Sequence, residues 1–333
     1  MTISTATVGV GVIGVGRIGR IHAGLLAREI PGAALAAVHD ADPAAAEAIG
    51  ARVCSLEELL ADPGVDAVAI CSSTETHADL IVAAAGAGKA IFCEKPISLD
   101  LAEVDRALKA VDAAGVPFQI GFNRRFDPAH QAVREAVLRG DVGEPQLVRI
   151  SSRDPEPPPM DYVRGSGGIF LDMTIHDFDM ARYVTGSEVV EVFARGAVRV
   201  DPAFGEAGDV DTALVTLVHE SGCMTAIDNS RQAVYGYDQR VEVFGSRGMA
   251  ASENPLAHAA VVRTADGGGT APLPYFFLER YIPSYLREWE AFVAAVRDGT
   301  PTPVSGEDAR APLVIGLAAW RSLKEGGPVS CTT

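Results

Sequence analysis

The chain has 333 residues, 48% of them hydrophobic, and its 44 Asp and Glu outnumber 28 Lys and Arg to give a formal net charge of -16. That length supports two domains with cores of their own. The acidic excess repels phosphate polyanions, which excludes nucleic acid and anionic membrane surfaces as main partners and leaves a small neutral or cationic one. The five cysteines (Cys54, Cys71, Cys93, Cys223 and Cys331) are odd in number and form no CxxC pair. This is the pattern of a reducing, cytoplasmic setting with neither a disulfide framework nor a structural zinc. No apolar run approaches the roughly 18 residues of a membrane span, and the opening MTISTATVGVGVIG lacks the basic region and cleavage site of a leader.

In chain order, short Val/Ile/Ala runs predict strands at 8–13, 33–39, 67–71, 90–93 and 118–121. Amphipathic stretches between them predict helices at 18–29, 43–49, 56–61, 76–87 and 101–114. Such alternation marks βαβ units, and uniformly apolar strands belong to a parallel sheet covered on both faces. Residues 1–123 therefore predict a doubly wound α/β domain. Beyond it, a helix at 128–139 and a strand at 146–153 lead into DPEPPPMDYVRGSGG, whose prolines and glycines argue against regular structure. A helix at 168–184 precedes strands at 189–200, 212–219, 224–232, 239–244 and 259–264, and helices at 284–297 and 307–324 close the chain. Strands without intervening long helices imply a mainly antiparallel, open-faced sheet, so residues 124–333 predict an α+β domain.

Gly14, Gly16 and Gly19 form GVGRIG between the first strand and the first helix. In that setting Gly14 permits a tight turn, Gly16 lets backbone approach a pyrophosphate, and Gly19 lets helix pack closely on strand. The helix N-terminus, at Arg17 and Ile18, favours the anion. Asp40 lies 21 residues beyond Gly19, at the end of the second strand, where an acid bonds the ribose hydroxyls of NAD and repels the 2'-phosphate of NADP. This predicts a Rossmann domain binding NAD in preference to NADP. Asp42 takes that role if the strand ends later; a bland alternative makes the glycines a simple turn and Asp40 a helix cap.

Asp172, His176 and Asp179 are spaced i, i+4, i+7 along GGIFLDMTIHDFDMARYV, one stripe on an otherwise apolar helix. Burying Asp and His is costly unless they are hydrogen-bonded or face a polar site. The stripe is either a functional site or a satisfied structural pair. Three groups on one helix do not converge readily on one ion, and no HExxH or cysteine cluster accompanies them, so no metal is predicted. Glu94-Lys95-Pro96 follows the fourth strand, where ligands of open α/β sheets bind; a surface lysine is the alternative for Lys95.

GVGRIG, CSSTETHADLI, FCEKPIS, GFNRRFDP, SRDPEPPP and GGIFLDMTIHDFDMARYVTG, in this order and spacing, resemble the Gfo/Idh/MocA oxidoreductase family, and within it the bacterial inositol 2-dehydrogenase branch. The likeness runs over essentially the whole chain. It implies Lys95, Asp172 and His176 as the catalytic group, and cofactor contacts that include Ser72, Thr74, His77 and Glu94 beside the glycine loop. His77 equally suits a structural role at a helix start. The resemblance also implies substrate contacts from Arg125, Arg153, Asp154 and Tyr235, with Tyr235 and Tyr237 open to a packing role. Some inositol dehydrogenases carry His and Asn where this chain has Ser152 and Asp154.

The implied activity is NAD-dependent oxidation of a cyclitol, myo-inositol to scyllo-inosose, by hydride transfer to nicotinamide. His176 would act as base, Lys95 would stabilise the developing alkoxide, and Asp172 would hold Lys95 charged. The same motifs serve dehydrogenases and ketoreductases of other cyclitols and pyranose sugars. A more distant alternative is a non-catalytic NAD or sugar sensor, which would be expected to lack Lys95 or His176. The family's sheet-to-sheet packing implies a homotetramer.

Overall fold

A computed structural model describes residues 7–331; residues 1–6, expected to carry no leader, lie outside them. The described residues divide into two compact units: residues up to Asn123 together with Tyr285–Ala311, and Arg124–Ser284 together with Pro312 onward.

The first unit comprises β1 (Val8–Ile13), α1 (Arg17–Arg28), β2 (Ala33–His39), α2 (Pro43–Glu47), α3 (Leu56–Ala61), β3 (Ala67–Ile70), α4 (Thr74–Gly86), β4 (Ala90–Glu94), α5 (Leu101–Ala114) and β5 (Phe118–Gly121). Its five strands are ordered β2-β1-β3-β4-β5 and all pair in parallel. The order reverses between β1 and β3, the place where open α/β sheets bind ligands beyond the strands' carboxyl ends. β1 and β3 are wholly buried, as expected for a sheet covered on both faces.

Segment 285–311 was expected in the second domain, but its apolar side chains complete the first unit's core. Trp289 and Phe292 are fully buried, and Trp289 stacks on Phe92 of β4 with ring centroids 4.6 Å apart. The Ile120 N–H donates to the Val304 carbonyl at 3.3 Å, covering the edge strand β5.

The second unit continues with α6 (Pro128–Leu138), β6 (Pro145–Arg153), α7 (Met160–Gly165), α8 (Ile169–Asp172), α9 (Ile175–Thr185), β7 (Val189–Ala197), α10 (Pro202–Glu206), β8 (Thr212–His219) and β9 (Met224–Ser230). It then adds β10 (Asp238–Gly245), β11 (Gly248–Ser252), the hairpin β12 (Val261–Thr264) and β13 (Gly267–Thr270), α11 (Phe277–Asp298), α12 (Gly306–Glu325) and β14 (Val329–Ser330). The chain passes between units within α11 and α12. Seven strands form one sheet, ordered β11-β10-β6-β9-β8-β7-β14, antiparallel except for β6 with β9. One face carries Val148, Val215, Leu217, Ile227 and Val243 into a core shared with Phe170, Phe178 and Ala318.

Three expectations are corrected here. The Pro-rich loop contains α7, which begins directly after Pro159, a residue that costs no helical bond at a helix start. β11 and β13 arise where no strand was expected, each held by antiparallel pairing to the strand before it. The helix expected at 168–184 is two helices, interrupted at Met173 and Thr174.

Candidate cofactor and active sites

In the first unit, Gly14 adopts φ +87°, and a Cβ there would stand 2.5 Å from Ser72 backbone atoms. A Cβ on Gly19 would lie 1.9 Å from the Gly14 carbonyl oxygen, whereas one on Gly16 would meet nothing within 4 Å. The loop is thus tight where strand meets helix and open where a pyrophosphate would lie, which fits a dinucleotide. Neither α1, beginning at Arg17, nor α4, beginning at Thr74, receives a side-chain cap. Their N-terminal N–H groups remain suited to anion binding. Ile18 is half-buried and Arg17 exposed.

Asp40 follows β2 directly. Its Oδ2 accepts the Val15 N–H at 2.6 Å and its Oδ1 accepts the Asp42 N–H at 2.9 Å, which ties the strand end to the glycine loop. Asp42, not Asp40, caps α2 by accepting the Ala44 N–H at 3.0 Å.

Ser72 Oγ is 2.6 Å from Thr76 Oγ1 at the turn into α4. His77 is buried, with Nδ1 2.8 Å from the Pro96 carbonyl and Nε2 2.9 Å from that of Ser72. Burial pushes its imidazole pKa down against the pull of these two carbonyls. His77 braces two loops at the carboxyl edge of the sheet. Lys95 immediately follows Glu94, the last residue of β4, and the Lys95–Pro96 peptide is cis. Glu94 Oε1 accepts from His22 Nε2 at 2.8 Å.

In the second unit, the Thr174 N–H reaches back five residues to the Ile169 carbonyl at 2.8 Å, and its hydroxyl donates to Asn229 Oδ1 at 2.7 Å. This break assigns the three stripe residues to separate environments. Asp172 ends α8, where Tyr162 Oη donates to Oδ1 at 2.7 Å and Arg231 Nη2 pairs with Oδ2 at 2.9 Å. His176 is half-buried in the first turn of α9. Asp179 turns away to Arg125, whose Nε and Nη2 hold it at 2.9 Å and 2.6 Å.

Arg231 also approaches Asp154 Oδ2 at 3.5 Å, so one guanidinium joins Asp154 to Asp172. Burial pushes the Asp154 carboxyl above its usual range; Arg231 opposes that and the Asp172 charge adds to it. The other substrate candidates go elsewhere. Arg125 is committed to Asp179, with the Tyr183 ring 5.2 Å from its guanidinium carbon. Strand alternation turns Arg153 to the face opposite Ser152, where it bonds Asp228 Oδ1 at 2.7 Å and Tyr235 Oη at 2.8 Å. Tyr235 in turn donates to Asp238 at 2.7 Å. Tyr237 is a packing residue, buried edge-on against Tyr281.

Four residues of this region escaped the sequence reading: Tyr162, Asp177, Asn229 and Arg231. Asp177 is fully buried and is bound by Arg124 Nη1 at 2.8 Å and Asn229 Nδ2 at 2.7 Å, with Ser152 Oγ also on its carboxylate. On a continuous helix it falls outside the Asp172–His176 stripe; the break at Thr174 alters that spacing. Ser152 is spent on this network, whereas Asp154 is joined to Asp172 through Arg231.

Residues 8–122 match the oxidoreductase family's NAD-binding Rossmann fold, and residues 130–251 match the GFO/IDH/MocA C-terminal domain. The chain is 52% identical over 322 residues to the myo-inositol 2-dehydrogenase of Thermotoga maritima, covering 95% of this chain and 96% of that one. A putative myo-inositol dehydrogenase from Sinorhizobium meliloti has a similar structure, with a TM-score of 0.95, 49% identity, and coverage of 98% and 100%. The myo-inositol dehydrogenase of Lactobacillus casei, solved with NAD(H) and myo-inositol, gives a TM-score of 0.88 at 28% identity, with 98% and 97% covered. With both halves matched and the glycine loop shaped for a dinucleotide, this chain belongs to the GFO/IDH/MocA family of NAD-binding oxidoreductases.

Proposed function

We propose that the protein oxidises a secondary alcohol of a cyclitol with NAD, and that its substrate is myo-inositol, giving scyllo-inosose. The observation that carries this reading is Asp172, held between Tyr162 and Arg231 four residues before a half-buried His176. The cyclitol class is supported by the Thermotoga and Lactobacillus proteins named above.

NAD, when bound, accepts the carbinol hydrogen as hydride. Gly14, Gly16, Gly19 and the starts of α1 and α4 would hold its pyrophosphate. Asp40 would take ribose hydroxyls, with Ser72, Thr74 and Glu94 as further cofactor contacts. The chain's own acid–base chemistry is assigned to three side chains. His176 removes the hydroxyl proton, since an imidazole ionises near neutrality. Lys95, as an ammonium, stabilises the alkoxide that develops. Asp172 orients the reacting ring, and Asp154 accepts a further ring hydroxyl.

We further assign the protein to the cytoplasm as a homotetramer. All five cysteines are free thiols, and no described helix is long and apolar enough to cross a membrane. Met249, Phe244, Leu147, Met224 and Val218 are successive cross-strand partners. They form an apolar row on the sheet face opposite the core, a surface suited to a second copy.

The test is NADH formation from NAD with myo-inositol, scyllo-inositol, D-chiro-inositol, glucose and galactose. Turnover of myo-inositol supports the assignment; turnover of a pyranose without any cyclitol overturns it.

A further inference from the structure

His22 lies on α1, two residues after the phosphate loop's first helical turn, and is fully buried. Its ring is enclosed edge-on by Phe92, Tyr285 and Trp289, with centroids 5.3 Å, 5.4 Å and 5.7 Å away. Trp289 Nε1 stands 2.8 Å from His22 Nδ1. An indole N–H only donates, so Nδ1 is the acceptor and the ring proton sits on Nε2. Nε2 faces Glu94 Oε1 at 2.8 Å and donates to it.

Glu94 is the last residue of β4, and its side chain is 13% exposed. Its cross-strand partner on β5 is Gly121, where a Cβ would lie 3.3 Å from the carboxyl carbon and both oxygens. The carboxylate therefore rests over bare backbone on one side. On another it is gripped by a ring whose tautomer is set from behind. Oε1 is spent on His22, which leaves Oε2 as the acceptor for a ligand.

We propose that His22 is a positioning residue for the cofactor: it relays the Trp289 indole N–H to Glu94 and so fixes the Glu94 carboxylate for a ribose hydroxyl of NAD. This rests on the reading above that Glu94 faces the cofactor. The relay differs from a merely packed histidine in a way chemistry can separate. In His22→Gln the amide nitrogen occupies the place of Nε2 and still donates to Glu94. In His22→Asn the amide oxygen occupies the place of Nδ1 and still accepts from Trp289, but the side chain is too short to reach Glu94.

The experiment measures NAD dissociation constants by isothermal titration calorimetry on the full chain, with thermal midpoints for each variant. His22→Asn is expected to weaken NAD binding about tenfold, the order for losing a hydrogen bond to a charged group, while His22→Gln stays within about twofold of the parent. Both should lower the midpoint. Equal weakening in the two variants, or none in His22→Asn, overturns the relay. If His22→Asn does not fold, Trp289→Phe keeps an aromatic ring beside Phe92 and removes the indole donor, its smaller volume being read separately in the thermal midpoint. It should weaken NAD by about threefold, of the order for one neutral hydrogen bond, and an unchanged constant overturns the proposal. A parent protein that binds no NAD would instead defeat the cofactor reading itself.

Discussion

Arg231 and Asp172 form an ion pair of 2.9 Å whose side chains are 3% and 10% exposed. The same guanidinium is the cation shared with Asp154. Removing it strands two carboxylates in a site that screens them poorly. Arg231→Met is expected to cost about 3 kcal/mol of stability, the order for breaking a buried pair. It should also lower kcat with little change in the NAD dissociation constant. Denaturant melts and calorimetry check the two halves separately; unaltered turnover would detach Asp172 from the chemistry.

His176→Ala should lower kcat by roughly 10²- to 10⁴-fold, the range for losing a general base, with NAD affinity largely retained. Steady-state kinetics with the cyclitol found active measure this. Full activity in the variant would move the proton transfer to another group.

Asp40 accepts two backbone N–H groups while leaving lone pairs for ribose hydroxyls. Asp40→Ser should narrow the preference for NAD over NADP, read as the ratio of kcat/KM values for the two cofactors. Because the carboxylate also pins Val15, a lower thermal midpoint should accompany the change. An unchanged ratio would remove Asp40 from cofactor discrimination.

Glu288 is fully buried with neither carboxyl oxygen hydrogen-bonded, and burial together with the charge of Glu94 raises its pKa well above the usual range. The folded state therefore keeps a proton that the unfolded chain gives up above about pH 4.3. Stability from this group is complete below that value. It falls as pH rises toward the folded-state pKa, at up to about 1.4 kcal/mol per pH unit. Glu288→Gln removes the ionisation, so its thermal midpoint should gain on the parent's as pH rises above the unfolded value of about 4.3. Parallel pH profiles would show Glu288 to be ionised in the folded protein.

Phe244 and Met224 lie on the apolar sheet face and are 47% and 49% exposed. Charges introduced there should block sheet-to-sheet association without touching the core. Sedimentation of Phe244→Glu combined with Met224→Glu is expected to give a smaller species than the parent. An unaltered mass would place the interface elsewhere.

The phosphate loop was legible because its chemistry is local. Gly14, Gly16 and Gly19 each answer to a backbone constraint within a few residues, and β1, α1 and β2 follow in order with Asp40 at the end. The parallel strands were equally legible, since burial on both faces writes itself as unbroken apolar runs. The second unit was harder. Its Asp172–His176 stripe was read on a continuous helix that is in fact broken at Thr174. Arg125 and Arg153 carried the polarity of substrate ligands; a buried partner took the first and strand parity turned the second to the opposite face.

By itself, the amino-acid sequence determined the α/β order of the first unit, the glycine loop and the family, because these rest on period, spacing and local backbone chemistry. Only the tertiary structure decided that Arg231 joins Asp154 to Asp172, that Asp177 is buried against Arg124, and that segment 285–311 completes the first unit's core. Those partners lie 50 or more residues apart along the chain. A charged side chain's choice among distant counterions is set by which faces the folded strands and helices present, a matter no local pattern records.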